Sequence, residues 1–395
     1  MASCSPMADA AGGFGPDHLP YGVFKRAGEQ PRVGARVGDG VLDLAVLARE
    51  GLLDEDPALF AQPTLNPFMA AGRAAWARVR EGLRRIVRGP DAEATAVPLD
   101  EARLLLPFAV ADYVDFYSSV EHASNVGRLF RPDADPLPPN WRHLPIGYHG
   151  RAGTVVVSGT PIRRPSGQRR GPGEDAPSYG PSARLDVELE LAFVVGTPTT
   201  LGEPVSVSEA MEHVFGALLL NDWSARDLQA WEYRPLGPFL GKSFATSVAG
   251  WVTPLDAILE RRVPAPAQDP EPLPYLREEP WALDLALETV LNGSVVTRTN
   301  ARHLYWSPAQ QLAHMTVNGA SLRTGDLFAS GTISGPERGE RGSLLELSWN
   351  GAEPLELDDG STRTFLEDGD EVVLRGSAGD AVTLGEVRGR VEPAR

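Results

Sequence analysis

Residues 186–195 read DVELELAFVV, so that Val187, Leu189 and Leu191 alternate with Glu188 and Glu190. Strict alternation is the period of a β-strand, in which residues two apart share a face at a spacing of about 6–7 Å. The chain is thereby committed to a sheet that carries two carboxylates side by side. On pattern alone, those acids suit either a solvated outer face or a buried site where they act together.

Runs of the same kind recur through the C-terminal two thirds of the chain. TVVVSGTPI, GALLLNDWS, DLFASGTIS, LLELSW and EVVLRG read as strands, as does ALDLALETVLNGSVVTRT with an Asn292-Gly293 hairpin turn inside it. Earlier, YGVF, RVGARV and VLDL are short strand-like runs separated by turns such as Gly38-Asp39-Gly40. Residues 70–87 are helical in pattern, and the polar segment 88–101, with its Gly89-Pro90 pair, marks a domain boundary. Residues 206–215 read as one helix, with Ser206 and Glu209 at capping-box spacing and Gly216 as its stop. The Gly/Pro-rich residues 169–180 read as a surface loop. A chain of 395 residues exceeds the size at which single cores stop growing, so two domains are expected.

A formal charge of −16 repels nucleic-acid backbones and anionic membranes, and no lysine-arginine run offers a local exception. No segment approaches the roughly 20 apolar residues needed to cross a bilayer. The first dozen residues lack the basic start and apolar stretch of a secretory signal and read as a tail. The single cysteine, Cys4, lies in that tail and has no partner for a disulfide. The expected location is the cytoplasm. Of 37 basic residues only Lys25 and Lys242 are lysines, which singles out Lys242 as a position suited to an ammonium.

Two further carboxylates sit in apolar company, Asp222 after ALLLN and Asp115 in DYVDFYSS. Buried carboxylates need a cation or a proton, and several converging ones suit a hard divalent ion, calcium or magnesium rather than zinc. Of seven histidines, His122, seven residues after Asp115, is the candidate general base, although a lone histidine is more often structural than catalytic. His143 and His149 flank LPIGY at no recognised ligand spacing and read as structural. No G-x-S-x-G motif is present, which disfavours acyl-enzyme chemistry. NDWSARDLQAWEYRPLGPFLGKSFATS gathers Asp222, Arg226, Gln229, Tyr233, Lys242 and Thr246 into one polar span.

These blocks, with DYVDFYSSVEHASNVGRLFR, NWRHLPIGYHGRAGTVVVSGTPIRRPSGQ and RTGDLFASGTISG followed by GSLLELSW, resemble the fumarylacetoacetase family from about Leu19 to near the C-terminus. The resemblance implies a mainly β fold with a small N-terminal SH3-like barrel (residues 15–105) and a large C-terminal β-sandwich-like roll that is catalytic and binds metal (residues 106–395), assembled as a homodimer. It implies hydrolysis of the carbon–carbon bond of fumarylacetoacetate to fumarate and acetoacetate, the last step of tyrosine and phenylalanine catabolism. An acylpyruvate hydrolase or related diketo-acid hydrolase or decarboxylase is the alternative. It further implies Ca2+ and Mg2+ as cofactors. A calcium-type site falls on Asp115, Glu188, Glu190 and Asp222, and a magnesium site on Asp222, Thr246 and the backbone oxygen of Lys242. His122 corresponds to the general base and Glu346 to the carboxylate that orients it, with Arg226, Gln229 and Lys242 around the oxyanion. Substrate contacts correspond to Tyr117, Arg131, Tyr148, Gln229, Tyr233 and Thr332.

Overall fold

The alternating acids do not line an open face. In the computed structural model, which describes residues 13–89, 96–171 and 173–395, every residue of the strand Leu189–Val195 is buried. So is every residue of its neighbour, Val214–Asp222. The two pair antiparallel, from Leu189 opposite Asn221 to Val194 opposite Gly216. Strands covered on both faces read as continuous apolar runs, which ALLL and LAFVV are.

This pair lies in a sheet of thirteen strands. On one side come Leu327–Ala329, then Tyr113–Phe116, then Gly147–His149; on the other, Trp251–Pro254 leads into Tyr21–Lys25, Arg32–Val37, Gly40–Asp43 and Ala96–Pro98. The N-terminal strands thus continue the central sheet, through Tyr21 opposite Val252. Tyr21–Lys25 also pairs with Arg103–Leu105, and no ring of strands closes into a barrel among the described residues. A second sheet runs Ser294–Asn300, Ala286–Leu291, Glu371–Ser377, Thr383–Glu392 and Ile162–Arg163, and its strand Thr383–Glu392 packs against Val214–Asp222. The fold is mainly β, with one large hydrophobic cluster that draws on residues from Leu19 to Val391. No helix is long and apolar enough to cross a membrane among the described residues.

The Asn292-Gly293 turn is present, with φ of 48° and 87° at its two residues, the left-handed pair that a two-residue hairpin demands. The helix expected at residues 70–87 forms as Arg73–Val87, after a short helix Asn66–Ala70. Two expectations are corrected. Residues 206–215 are not a helix: only the 3-10 turn Ala210–Glu212 forms, and Ser206 Oγ bonds the Glu209 carboxylate at 2.6 Å without capping anything longer. Gly216 stops no helix but lies inside a strand, where an added Cβ would come within 2.4 Å of the Thr253 carbonyl oxygen. The run LLELSW is not a strand but the one-turn helix Leu344–Leu347, because the Ser343 hydroxyl accepts from the Glu346 N–H and caps it. Residues 169–180 begin and end in strand, Ser166–Arg169 pairing with Ser178–Pro181. Cys4 and residues 90–95 of the expected boundary segment lie outside the described residues.

Candidate active site and metal centre

The sheet order gathers the four carboxylates. Glu188 and Glu190 are two apart at the head of the strand Leu189–Val195, and Asp222 ends the neighbouring strand. Asp115 sits on Tyr113–Phe116, which is tied to the same strand through Leu327–Ala329. Each offers an oxygen atom, and these atoms lie within 4.8 Å of one another, on residues no more than 4 % exposed. Lys242 Nζ donates to Glu188 Oε2 and, at 2.5 Å, to Asp222 Oδ2. The Tyr148 hydroxyl lies 2.9 Å from Asp115 Oδ2 and 3.1 Å from Asp222 Oδ2, and the Gly331 N–H donates to Glu190 Oε2 at 3.2 Å. Asp115 Oδ1 and Glu190 Oε1 remain buried with no hydrogen-bond partner.

That deficit shows in the electrostatics. Burial, then the neighbouring carboxylates, pushes the Asp115 and Glu190 carboxyls far above the ordinary range. Burial also raises Asp222, with Lys242 acting against it. Burial works against the Glu188 charge too, but Arg226, Lys242 and His122 outweigh it and hold that carboxyl low. Counting the adjacent buried Asp186, five carboxylates face two cations, Arg226 and Lys242. Two orphaned oxygens, an all-oxygen donor set and this surplus of negative charge fit a hard divalent cation. Thr246 is beside it, its hydroxyl 3.5 Å from Asp222 Oδ1, and a cavity of about 120 Å³ lined by Tyr148, Asp222, Lys242 and Thr246 opens there.

The histidine is built separately. Ser119 caps the helix Val120–Phe130 by accepting from the His122 N–H, which fixes His122 on the first turn. The His122 Nδ1–H donates to Glu346 Oε2 at 2.6 Å. Glu346, 0 % exposed, also accepts from Asn125 Nδ2 at 2.9 Å, Ser334 Oγ at 2.9 Å and Ser343 Oγ at 2.8 Å. Burial alone would raise its carboxyl, but His122 and these donors hold it below the usual value. An ionised Glu346 fixes the tautomer with hydrogen on Nδ1, so Nε2 is the nitrogen able to accept a proton. Tyr117 packs edge-on against the imidazole, ring centroids 5.4 Å apart.

Arg226 begins the helix Arg226–Glu232. It donates from Nε to Asp186 Oδ2 at 2.8 Å, from Nη2 to Glu188 Oε1 at 2.5 Å and from Nη1 to Gln229 Oε1 at 3.2 Å. The structure therefore brings Arg226, Gln229, Lys242, Tyr148 and Thr246 to the carboxylates, and Tyr117 and Glu346 to His122. Thr332 follows Gly331 and is buried, its hydroxyl without a partner. Arg131 and Tyr233 make no hydrogen bond to these groups among the described residues. Arg131 Nη2 donates to the Pro136 carbonyl at 2.9 Å, although its charge is near enough to act on the Tyr117 phenol, and the Tyr233 hydroxyl accepts from Arg234 Nε at 2.8 Å. His143 and His149 are exposed, with His149 3.8 Å from Asp112, and neither joins the cluster. Sequence reasoning passed over Asp186, Asn125, Ser334 and Ser343. Asp186 had a signal, since the alternation Asp186, Glu188, Glu190 continues one step further back; the other three are single polar residues whose role depends on where Glu346 lands.

Two family profiles match the chain: "Fumarylacetoacetase N-terminal" over residues 17–110 and "Fumarylacetoacetate (FAA) hydrolase C-terminal" over residues 112–392. The chain is similar to the fumarylacetoacetase of Homo sapiens, at 48% identity over 95% of this chain and 96% of that protein. It is similar to that of Arabidopsis thaliana at 47%, covering 95% of each. Among solved structures, the fumarylacetoacetate hydrolase of Exiguobacterium antarcticum superposes with a TM-score of 0.58 at 19% identity, over 95% of this chain and all of that one, a likeness of fold.

Proposed function

Since this chain belongs to the fumarylacetoacetate hydrolase family and is a hydrolase, we propose that it cleaves the carbon–carbon bond of fumarylacetoacetate to give fumarate and acetoacetate. The observation that carries this reading is the pairing of a buried His122–Glu346 dyad with a separate cage of four buried carboxylates. The first suits a general base that works on water, the second a cation that polarises a carbonyl.

His122 Nε2 takes one proton from a water molecule, and the imidazolium that forms is stabilised by Glu346 at Nδ1. The water oxygen bonds to the carbonyl carbon on the fumaryl side, and the carbonyl electron pair moves to its oxygen. Arg226, Gln229 and Lys242 are the donors assigned to that oxyanion, in a site where pre-placed dipoles act strongly. When the carbonyl re-forms, the bond to the neighbouring methylene breaks, and its electron pair leaves on the acetoacetate fragment as an enolate. The proton held by His122 returns to that carbon, which balances the step.

Asp115, Glu188, Glu190 and Asp222 would hold a calcium-type ion, and Asp222, Thr246 and the Lys242 backbone oxygen a magnesium-type one. Bound there, a divalent ion supplies Lewis-acid stabilisation of the charge on a substrate carbonyl. Tyr117, Tyr148, Gln229 and Thr332 are assigned to substrate binding by the family resemblance, which is supported by Tyr117 beside His122, Tyr148 on Asp115, Gln229 on Arg226 and the unpartnered buried hydroxyl of Thr332. Arg131 and Tyr233 carry the same assignment from the family resemblance alone. We read residues 15–105 as a small SH3-like unit, residues 106–395 as the catalytic sandwich-like roll, the assembly as a homodimer and the location as cytoplasmic, all from the same resemblance.

The test is turnover in ¹⁸O-water with both products followed. Fumarate carrying one solvent oxygen, formed in equal amount with acetoacetate, is the expected result. Release of carbon dioxide in place of fumarate would contradict the reading.

A further inference from the structure

Asp186 is fully buried and belongs to no role assigned so far. Its Oδ2 accepts from Arg226 Nε at 2.8 Å and from the Leu345 N–H at 3.2 Å; its Oδ1 accepts from the Leu344 N–H at 2.8 Å and from its neighbour Val187 N–H at 2.8 Å. All four groups are donors, the Arg226 guanidinium among them, and they favour the charged carboxylate against burial, which pushes its pKa up. Two of them head the one-turn helix Leu344–Leu347 that presents Glu346. A third is the guanidinium whose other nitrogens reach Glu188 and Gln229. One carboxylate thus holds both the arginine of the cage and the turn that carries the partner of His122.

We propose that Asp186 is a positioning residue that locks these two parts of the site to each other. The inference rests on the hydrolytic reading above. A one-turn helix has little intrinsic stability and takes its orientation from its anchors, here the Ser343 hydroxyl and Asp186. An arginine held at Nε by a buried carboxylate has its guanidinium plane fixed, which leaves the remaining donors aimed in one direction. Misplacement of a reacting group by about 1 Å costs about 10²-fold in rate. The effect of loosening Asp186 therefore falls on kcat rather than on substrate affinity.

The test combines Asp186→Asn, Arg226→Gln and the double variant, each assayed for kcat, KM, metal content and melting. Asp186→Asn is expected to lower kcat about 10–100-fold with KM within a few-fold. The double variant is expected to be no more than about 2-fold slower than Arg226→Gln, because the two residues act as one unit. Independent losses that multiply, or an Asp186→Asn enzyme within a few-fold of wild type, would overturn the proposal. Amide hydrogen exchange provides a readout needing neither a folded Asp186 variant nor activity. In Arg226→Gln, which keeps Asp186, exchange at the Leu344 and Leu345 amides should rise above wild type, and unchanged protection there would also overturn it. Failure of the hydrolytic reading would show separately, as wild-type protein that turns over no diketo acid.

Discussion

Replacing Glu346 by glutamine removes one charge from the dyad while keeping its shape. Glutamine can keep an oxygen toward the His122 Nδ1–H only by turning its amide nitrogen toward Asn125, whose own amide must then flip and give up Arg128, now 3.2 Å away. The larger loss is electrostatic. When His122 accepts a proton, an imidazolium forms against a carboxylate 2.6 Å from its Nδ1. With charge centres about 4 Å apart and an effective dielectric of about 20, that attraction is about 4 kcal/mol. A proton about half transferred at the transition state realises about 2 kcal/mol, or about 30-fold in rate, and full transfer about 10³-fold. The expected fall in kcat is thus about 30- to 10³-fold with KM little changed, read from the loss of the substrate's conjugated ultraviolet absorbance. A Glu346→Gln enzyme within about 3-fold of wild type would show that Glu346 does not stabilise a charged His122.

His122→Gln should remove more activity than Glu346→Gln, with melting temperature and metal content retained, since glutamine cannot take the water's proton; near-normal kcat would mean the base lies elsewhere. Lys242→Arg and Lys242→Met should each lose about 10²–10³-fold in kcat, since Lys242 Nζ fits between Glu188 and Asp222 as a compact ammonium. An arginine variant within a few-fold of wild type would show that a diffuse charge suffices. Relative to metal-saturated protein, chelated protein should gain stability as the pH is lowered toward the carboxylate range. Asp115, Glu190 and Asp222 have raised folded-state values, so the folded state binds more protons than the unfolded, and the stability this contributes is lost as pH rises through those values. Glu188 and Glu346 shift downward, so their windows lie below the ordinary carboxylate range. Burial lowers His18 to about 3 and also lowers His303 and His314, which costs stability as the pH falls through the ordinary histidine value. The histidines do so with or without metal, so the carboxylate trend is read as the difference between the two forms. The gap in melting temperature between protein saturated with calcium or magnesium and chelated protein should therefore widen as the pH rises, and a gap that narrows would refute the charge surplus.

Much of the site was legible because it is written locally. The Glu188/Glu190 alternation carries its own geometry, and Asn292-Gly293 dictates its turn. What the residues alone left open was whether those acids are buried, since burial is decided by which strands flank them, and strands as distant as Tyr113–Phe116 and Val214–Asp222 supply the other two carboxylates. The two misread segments fail for definite reasons. LLELSW is apolar enough for a strand, but Ser343 and Asp186 recruit its first N–H groups into a turn, and the Asp186 partnership spans 158 residues. Residues 206–215 carry a capping spacing, but Val214 and Phe215 are claimed by the central sheet, where pairing and burial outweigh helix propensity. Asn125, Ser334 and Ser343 stayed invisible for the same reason, because nothing about them is distinctive until Glu346 is placed among them.

The most direct test of a His122–Glu346 base beside a carboxylate cage built for fumarylacetoacetate is kcat/KM for that substrate measured beside a simple acylpyruvate, on the same metal-loaded protein. A site whose buried donors are arranged for the longer dicarboxylate should prefer it by about 10²-fold or more, with fumarate and acetoacetate as products. Equal or higher kcat/KM for the acylpyruvate would contradict the account.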